Sequence, residues 1–287
     1  MSVLRRERVE LKTPEQIAVM RRSGMLLSQV HDMLGEQIRP GITTGELDTL
    51  AEAMIREHGA TPNFLGYHGF PASLCISVNE VVVHGIPGDQ VLAEGDVVSI
   101  DAGLIIEGWH SDAARTHIVG ALRREADEDL VRITRQALWA GIAALAAADR
   151  VGQIGEAIED FVTAEAGETL SDLEDFGGHG VGTAMDQPPD VMNCRTRSRG
   201  PKVRPGMCLA IEPMLIQGPG DWVLEDDDWT VRATGGGRAA HWEHSVAVTA
   251  EGILVLTAAD GGRQELAARG VRIAPDPLDI GRLRTSE

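Results

Sequence analysis

Two stretches of the sequence, 111 residues apart, share one pattern in which a short apolar run ends in a carboxylate. In the first, Gly95 precedes the run 97–100 and Asp101 follows it; in the second, Gly206 precedes an apolar run that ends at Glu212. Short apolar runs bounded by glycine predict buried strands. The match indicates two halves of similar design if it reflects an internal repeat. A chance match in so short a segment would look the same.

Helix signals precede the strand signals in both parts of the chain. Thr13 is followed by a proline, as at a helix start, and Thr43 opens a capping box with Glu46. Apolar residues follow at helical spacing. The predicted order is helices 13–40 and 43–59, strands within 73–119, helix 127–166, and strands within 207–256.

This order predicts an α/β (α+β) protein, and its length allows one large domain or two ordinary ones. Residues 1–262 are predicted to form a single domain. Its approximate halves are residues 13–120 and 127–262. Residues 263–287 are predicted to form a charged C-terminal tail on the surface.

Charge and cysteine content exclude several classes of protein. The formal charge of −18, from 26 Lys and Arg against 44 Asp and Glu, repels nucleic-acid phosphates and anionic lipid headgroups. Three cysteines without CxxC spacing are too few for a disulfide framework, which favours a reducing compartment. The longest apolar run, 137–148, is shorter than the roughly 20 residues of a membrane span. We therefore expect a cytoplasmic monomer with no nucleic-acid or membrane partner.

Asp101 and Asp112 are predicted to lie on neighbouring strands joined by the turn Glu107-Gly108. With that two-residue turn, Asp101 lies opposite Ala114, and Asp112 is its diagonal neighbour on the same face, roughly 7 to 8 Å away. Two buried carboxylates this close require a cation between them or a proton on one of them. When Asp101 and Asp112 are considered without other residues, two unrelated carboxylates in turns are the alternative interpretation.

Three further groups have the side chains that bind metals. Glu212 ends an apolar run, His179 lies in the segment Gly177-Gly178-His179-Gly180, and Glu243 belongs to an alternating strand. Taken singly, such residues usually have no function. Together, four carboxylates balance two divalent ions, and an oxygen-rich set with one imidazole suits Mn, Fe, Co or Zn.

Five motifs in order carry a resemblance to a known family. They are Asn79-Glu80-Val81-Val82-Val83-His84-Gly85-Ile86-Pro87, the Asp101 and Asp112 spacing, Gly178-His179-Gly180, Ile211-Glu212-Pro213-Met214 and Glu243-His244-Ser245. The chain from about Pro14 to Leu256 resembles the type I methionine aminopeptidases of the M24 metallopeptidase family. The resemblance implies the pita-bread fold, with two pseudo-symmetric halves and a central antiparallel sheet flanked by helices. It also implies removal of an N-terminal methionine from peptides or nascent proteins, with small residues preferred next.

The resemblance also implies roles for the five acidic and imidazole groups. Asp101 would bind one of two divalent ions (Co, Mn, Fe or Zn), and Asp112 and Glu243 would bridge both. His179 and Glu212 would complete the other ion. The resemblance also implies that Glu212 moves a proton. The implied catalytic residues are Glu212, His179 and His84. Of these, His84 would contact the substrate near the scissile bond.

A methionine side chain needs an apolar, unbranched pocket, which aromatic, Met and Cys side chains supply. Three of the chain's five Phe and Tyr residues lie between positions 64 and 70. The pocket implied by the resemblance is lined by Phe64, Tyr67, Phe70, Cys75, Met185 and Trp229.

Asp186 departs from the family pattern. Seven residues after the counterpart of His179, the family has a second histidine that helps to hold the substrate peptide; this chain has Asp186, a potential anion. Three functions therefore stay open: a methionine aminopeptidase, a diverged M24 metallopeptidase with another substrate or weak activity, and a non-catalytic binding protein of the same fold. The complete set of metal ligands disfavours the last.

Overall fold

The computed structural model describes residues 8–279. Residues 1–7 and 280–287, which include the end of the predicted tail, lie outside the described residues. The helices are α1 Pro14–Gln37, α2 Thr44–Glu57, α3 Glu125–Leu145, α4 Gln153–Ala166 and α5 Arg263–Ala268. The strands are β1 Thr61–Pro62, β2 Leu74–Val78, β3 Val81–Val83, β4 Val97–Ile106, β5 Trp109–Ile118, β6 Leu170–Asp172, β7 Gly177–Gly180, β8 Gln187–Met192, β9 Cys208–Ile211, β10 Met214–Gln217, β11 Trp222–Leu224, β12 Val231–Ala233, β13 Ala239–His241, β14 His244–Thr249 and β15 Gly252–Val255.

Helices α1 and α2 begin where their caps predict. The Thr13 hydroxyl accepts from the backbone nitrogen of Gln16, whose side chain accepts from the backbone nitrogen of Thr13. Thr43 and Glu46 form the same reciprocal pair at α2. Each box satisfies two backbone donors that a helix start otherwise leaves without partners.

The helical stretch predicted for residues 127–166 consists of two helices in the structure, α3 and α4. The side chain of Gln153 accepts hydrogen bonds from the backbone nitrogens of Asp149 (2.8 Å) and Arg150 (3.0 Å). This local fold-back closes the connection after α3 and begins α4.

The first half of the molecule is one antiparallel sheet covered by α1 and α2. Strand β4 pairs with β2 and β1 along one edge and with β5 along the other. Apolar residues of α1 and α2 pack onto β2 and β4, and members of this core include Leu27, Leu47, Ile76 and Ile100. This core therefore stabilises the sheet that carries Asp101 and Asp112.

The second half repeats this arrangement with α3 and α4 over a five-stranded sheet. Its strand order is β15-β14-β9-β7-β8, with all pairs antiparallel. Leu138, Ile154, Leu209 and Val246 belong to the core between these helices and the sheet. The predicted order of helices before strands is thus present in each half.

The paired glycines of the sequence repeat have matching backbone conformations. Gly95 has φ of 85° and Gly206 has φ of 94°, which favour glycine at the turn leading into a strand. Strand β4 follows the first and β9 the second, and these strands carry Asp101 and lead to Glu212. The two segments that match in sequence therefore also match in backbone conformation.

The two sheets meet along β5 and the start of β14. The backbone nitrogen of Glu243 donates to the oxygen of Ala114 (3.0 Å), and the nitrogen of Ala114 donates to the oxygen of Glu243 (3.4 Å). Two smaller sheets, β13-β10-β6 and β11-β12-β3, lie beside this junction. Acidic residues from both halves are thereby brought to one place.

Residues 263–279 pack onto the domain and are not the surface appendage expected from their charge. Leu266 of α5 is fully buried. Arg21 of α1 is 1 % exposed, and its guanidinium contacts the carboxylate of Asp276 at 2.7 Å. A buried guanidinium requires such a partner, so Asp276 ties this segment to α1.

No helix within residues 8–279 has the length and apolar character needed to cross a bilayer.

Candidate metal centre and substrate pocket

Asp101 and Asp112 lie in the register predicted from the turn between their strands. Glu107 and Gly108 form the loop, with φ of 51° and 79°, the left-handed pair that a two-residue hairpin of type I′ requires. Asp101 consequently lies opposite Ala114. The two carboxyl groups are close enough for one to hydrogen-bond the other when protonated.

Glu243 immediately precedes β14, one position outside the alternating strand on which it was placed from sequence. Its backbone pairing with Ala114 nevertheless holds it in extended geometry beside β5. The side chain is 2 % exposed. Glu243 therefore reaches the acidic pair of the first half from the second half.

His179 is positioned by the glycines on either side of it. A Cβ atom on Gly178 would lie 2.2 Å from the backbone oxygen of Ala210, and one on Gly180 would lie 2.4 Å from that of Pro188. Strand β7 can lie this close to β9 and β8 only because both positions are glycine. Nδ1 of His179 is 3.1 Å from the backbone oxygen of Gly180, so Nδ1 donates and Nε2 keeps its lone pair.

Glu212 follows β9 and lies between two imidazoles. Its Oε1 is 3.5 Å from Nε2 of His179, and its Oε2 is 3.4 Å from Nε2 of His241. The Asn193 side chain donates to the backbone oxygen of Glu212 at 3.1 Å, which fixes the turn after the strand.

The structure brings all five predicted ligands into one cluster. One potential ligand atom from each of Asp112, His179 and Glu243 lies within 4.8 Å of the others, and the same holds for Glu212, His241 and Glu243. Asp101 joins the cluster through its contact with Asp112. Glu243 belongs to both groups of three, whereas Asp112, which was also predicted to bridge the two ions, belongs to one.

In the absence of a cation, burial and the neighbouring acids raise the pKa values of these four carboxyl groups. Burial raises the pKa of Asp101 to about 7, partly offset by nearby His241. Burial also raises the pKa of Glu212 to about 7, against the lowering effect of His179. The pKa values of Asp112 and Glu243 lie well above their ordinary range because of burial and the neighbouring acids.

Within residues 8–279, one buried oxygen of each of three acids has no hydrogen-bond partner: Asp101 Oδ1, Asp112 Oδ1 and Glu243 Oε1. Buried polar atoms normally have partners, and each exception requires an explanation. Divalent cations would satisfy these oxygens and compensate the charge. The residues present therefore fit a metal centre.

His241 is part of this cluster, although no role was predicted for it. It ends β13 and is 2 % exposed. The available signal was its position two residues before Glu243, because side chains two apart in an extended segment lie on the same side. Its approach to Glu212 depends on the pairing of β13 with β10, which no local pattern indicates.

Most of the predicted pocket residues lie in one apolar cluster. Phe64, Phe70, Cys75, Met185 and Trp229 pack together with Ala72 and Ile86. The rings of Phe70 and Trp229 meet edge to face with centroids 5.1 Å apart. Tyr67 lies outside this cluster and is half-buried beside His68.

His84 connects the apolar cluster to the carboxylates. Its ring is 6.4 Å from that of Trp229 and 6.1 Å from that of Phe176, centroid to centroid. Burial, together with the smaller effect of nearby His241, lowers the pKa of His84 to about 4. The imidazole is therefore neutral at physiological pH.

Asp186 is exposed and lies at the entrance to the site. After the larger effect of burial, its charge contributes to the raised pKa of both Tyr67 and Glu212. The loop that carries it is held by Glu10, which accepts hydrogen bonds from Gln187 (2.8 Å) and from the Thr183 hydroxyl (2.7 Å).

Comparison with known proteins places these features in a family. Residues 18–250 match Metallopeptidase family M24. The chain belongs to this family, as its motifs predicted.

Named members of the family are similar over most of their length. A methionine aminopeptidase from Clostridium perfringens is 46% identical over 247 residues, covering 86% of this chain and 98% of that protein. Methionine aminopeptidase 1 from Mycobacterium tuberculosis is 45% identical over 253 residues, covering 87% of this chain and 95% of that protein. The crystal structure of methionine aminopeptidase from Rickettsia prowazekii superposes with a TM-score of 0.84 at 32% identity, covering 88% of this chain and 100% of that one. This match confirms the predicted pita-bread fold.

Proposed function

We propose that this protein is a dinuclear-metal aminopeptidase that removes the N-terminal methionine from peptides or nascent proteins, with a small residue preferred next. The observation that carries the proposal is the buried cluster of four carboxylates and an imidazole directly beside the apolar cluster that contains Cys75. The similar proteins named methionine aminopeptidase support it.

The five predicted ligands suit two divalent ions. Asp112 and Glu243 would bind both, Asp101 would bind one, and His179 and Glu212 would bind the other. Two ions balance four carboxylates, which removes the electrostatic cost of the cluster. When bound, such ions lower the pKa of a water molecule and polarise a carbonyl group.

Glu212 is the residue proposed to move a proton during hydrolysis. A carboxylate beside the ions can accept a proton from a water molecule and return it to the leaving amine. The two carboxylate oxygens of Glu212 lie near the imidazoles of His179 and His241.

The pocket is proposed to hold the methionine side chain. Phe64, Phe70 and Cys75 are each less than 10 % exposed (7 %, 3 % and 5 %), and the thioether makes favourable contacts with aromatic rings. Neutral His84 lies beside Trp229 of this cluster and is proposed to contact the peptide next to the scissile bond. Phe64 adds bulk that favours a small second residue.

Peptide N-termini are the proposed partners, and the cytosol and a monomeric state remain predictions. A panel of Met-Ala, Met-Leu and Leu-Ala peptides, assayed on protein of measured metal content, tests the function. We expect two ions per chain, cleavage of Met-Ala, and at least about tenfold slower cleavage of Met-Leu and Leu-Ala. Faster cleavage of a peptide that lacks methionine would indicate a diverged M24 peptidase, and two ions without any cleavage would indicate a binding protein.

A further inference from the structure

His241 contributes a second imidazole to the metal centre. Its Nε2 and one carboxylate oxygen from each of Glu212 and Glu243 lie within 4.8 Å of one another. Ligand atoms that share one ion at about 2.0 to 2.2 Å are themselves roughly 3 to 4 Å apart. The 3.4 Å separation between His241 Nε2 and Glu212 Oε2 falls in this range.

The His241 side chain has no other partner for this nitrogen. Nε2 is buried and makes no hydrogen bond within the described residues. A buried imidazole nitrogen without a partner is costly. In this acidic surrounding, a cation is the group that would satisfy both the nitrogen and the two carboxylates.

The backbone of His241 is held firmly by the first half of the molecule. Its nitrogen donates to the hydroxyls of Ser99 (3.2 Å) and Thr116 (3.0 Å), and the Thr116 hydroxyl donates to its oxygen (2.7 Å). Pairing with Met214 fixes the other side of the strand. The ring is thus presented to the cluster by a rigid support, as metal ligands are.

We propose that Nε2 of His241 is a sixth protein ligand of this centre and binds, with Glu212 and Glu243, one of its two ions. The inference rests on the proposed metal site and deepens it. Imidazole ligands suit Zn and Fe, whereas carboxylates suit Mn. A centre with two imidazoles therefore favours Zn or Fe over Mn more strongly than a centre with His179 alone.

Proton NMR of the full chain loaded with two Co(II) ions tests the proposal. Protons on a ligating imidazole are shifted far outside the ordinary range by the paramagnetic ion, and its N–H signal disappears in D2O. We expect two such exchangeable signals in the unaltered protein, from His179 and His241. One signal with two ions bound overturns the proposal, and this measurement requires no variant.

Calorimetric titration of His241→Gln with Co(II) provides the second readout. We expect the affinity for one of the two ions to fall at least about tenfold, with one N–H signal lost. His58→Gln, which removes an exposed imidazole at the end of α2, is the matched control and should change neither result. Unchanged affinities and signals in folded His241→Gln would rule out ligation by His241 and leave the peptidase proposal intact. A failure of the unaltered protein to bind metal would overturn both.

Discussion

The hydroxyl of Ser245 donates a hydrogen bond to the backbone oxygen of Asp112 (2.8 Å) and accepts one from the backbone nitrogen of the same residue (3.0 Å). Ser245 belongs to β14 and Asp112 to β5, and both are buried. A single side chain therefore satisfies both backbone groups of a proposed metal ligand across the junction of the two halves.

Ser245→Ala should loosen this junction at Asp112. Two buried backbone groups lose their partner, at a cost of about 1 to 3 kcal/mol in the free energy of unfolding. Metal affinity should fall about tenfold or more, because groups that orient ligands contribute on that scale. Urea denaturation and metal titration measure the two effects. Ser28→Ala, a buried serine on α1 that contacts Arg115, should lower stability alone; equal metal affinity in both variants would contradict the positioning role.

Glu243→Ala should abolish peptide cleavage and reduce bound metal below two ions per chain. Glu243 belongs to both three-residue groups of ligand atoms, so its loss affects both proposed sites. Metal content after dialysis and Met-Ala cleavage provide the measurement. Glu251→Ala removes an exposed glutamate from the turn after β14 and should behave as the unaltered chain. Two retained ions and normal cleavage in Glu243→Ala would exclude the dinuclear centre.

Asp186→His should raise kcat/KM on Met-Ala peptides by at least about tenfold, equal to roughly 1.4 kcal/mol of transition-state stabilisation. An ionised carboxylate at the entrance opposes the negative charge that develops on the carbonyl oxygen, whereas an imidazole supplies a donor. One well-placed donor contributes about 10²- to 10³-fold in rate.

Asp190→His is the matched control, since Asp190 is an exposed acid on β8. It changes the net charge equally without placing a donor at the entrance. An unchanged or lower kcat/KM in folded, metal-loaded Asp186→His would indicate a substrate for which the acidic side chain is the correct partner.

Glu10 should stabilise the loop at the entrance in a pH-dependent manner. Burial raises its pKa, but hydrogen bonds from Gln187 and Thr183 outweigh burial and lower the pKa to about 2 from an ordinary value of 4.5. The stabilisation is therefore fully present above about pH 4.5 and is lost as the pH falls towards 2.

We expect Glu10→Gln to be less stable than the unaltered chain at neutral pH, and the difference in the free energy of unfolding to narrow as the pH falls from about 4.5 towards 2. Urea denaturation across this range provides the measurement. Glu36→Gln, an exposed glutamate on α1, should show no such narrowing. A difference that stays constant with pH would show that the hydrogen bonds to Gln187 and Thr183 do not depend on the carboxylate charge.

The features that sequence analysis predicted well are those decided within a few residues. Thr13 and Thr43 begin helices because their hydroxyls satisfy backbone donors three residues away. The register that places Asp101 opposite Ala114 follows from a two-residue turn.

The order of helices and strands, the family, and the five acidic and imidazole groups could be predicted from sequence, since caps, periodicity, turns and motif spacing are local properties. Which residues from distant parts of the chain lie beside these groups depends on the tertiary structure. His241 reaches Glu212 through the pairing of β13 with β10, Glu10 holds the loop of Asp186 across the fold, and Asp276 reaches buried Arg21. Such contacts depend on how whole sheets and helices pack, because burial and charge compensation are properties of the assembled core.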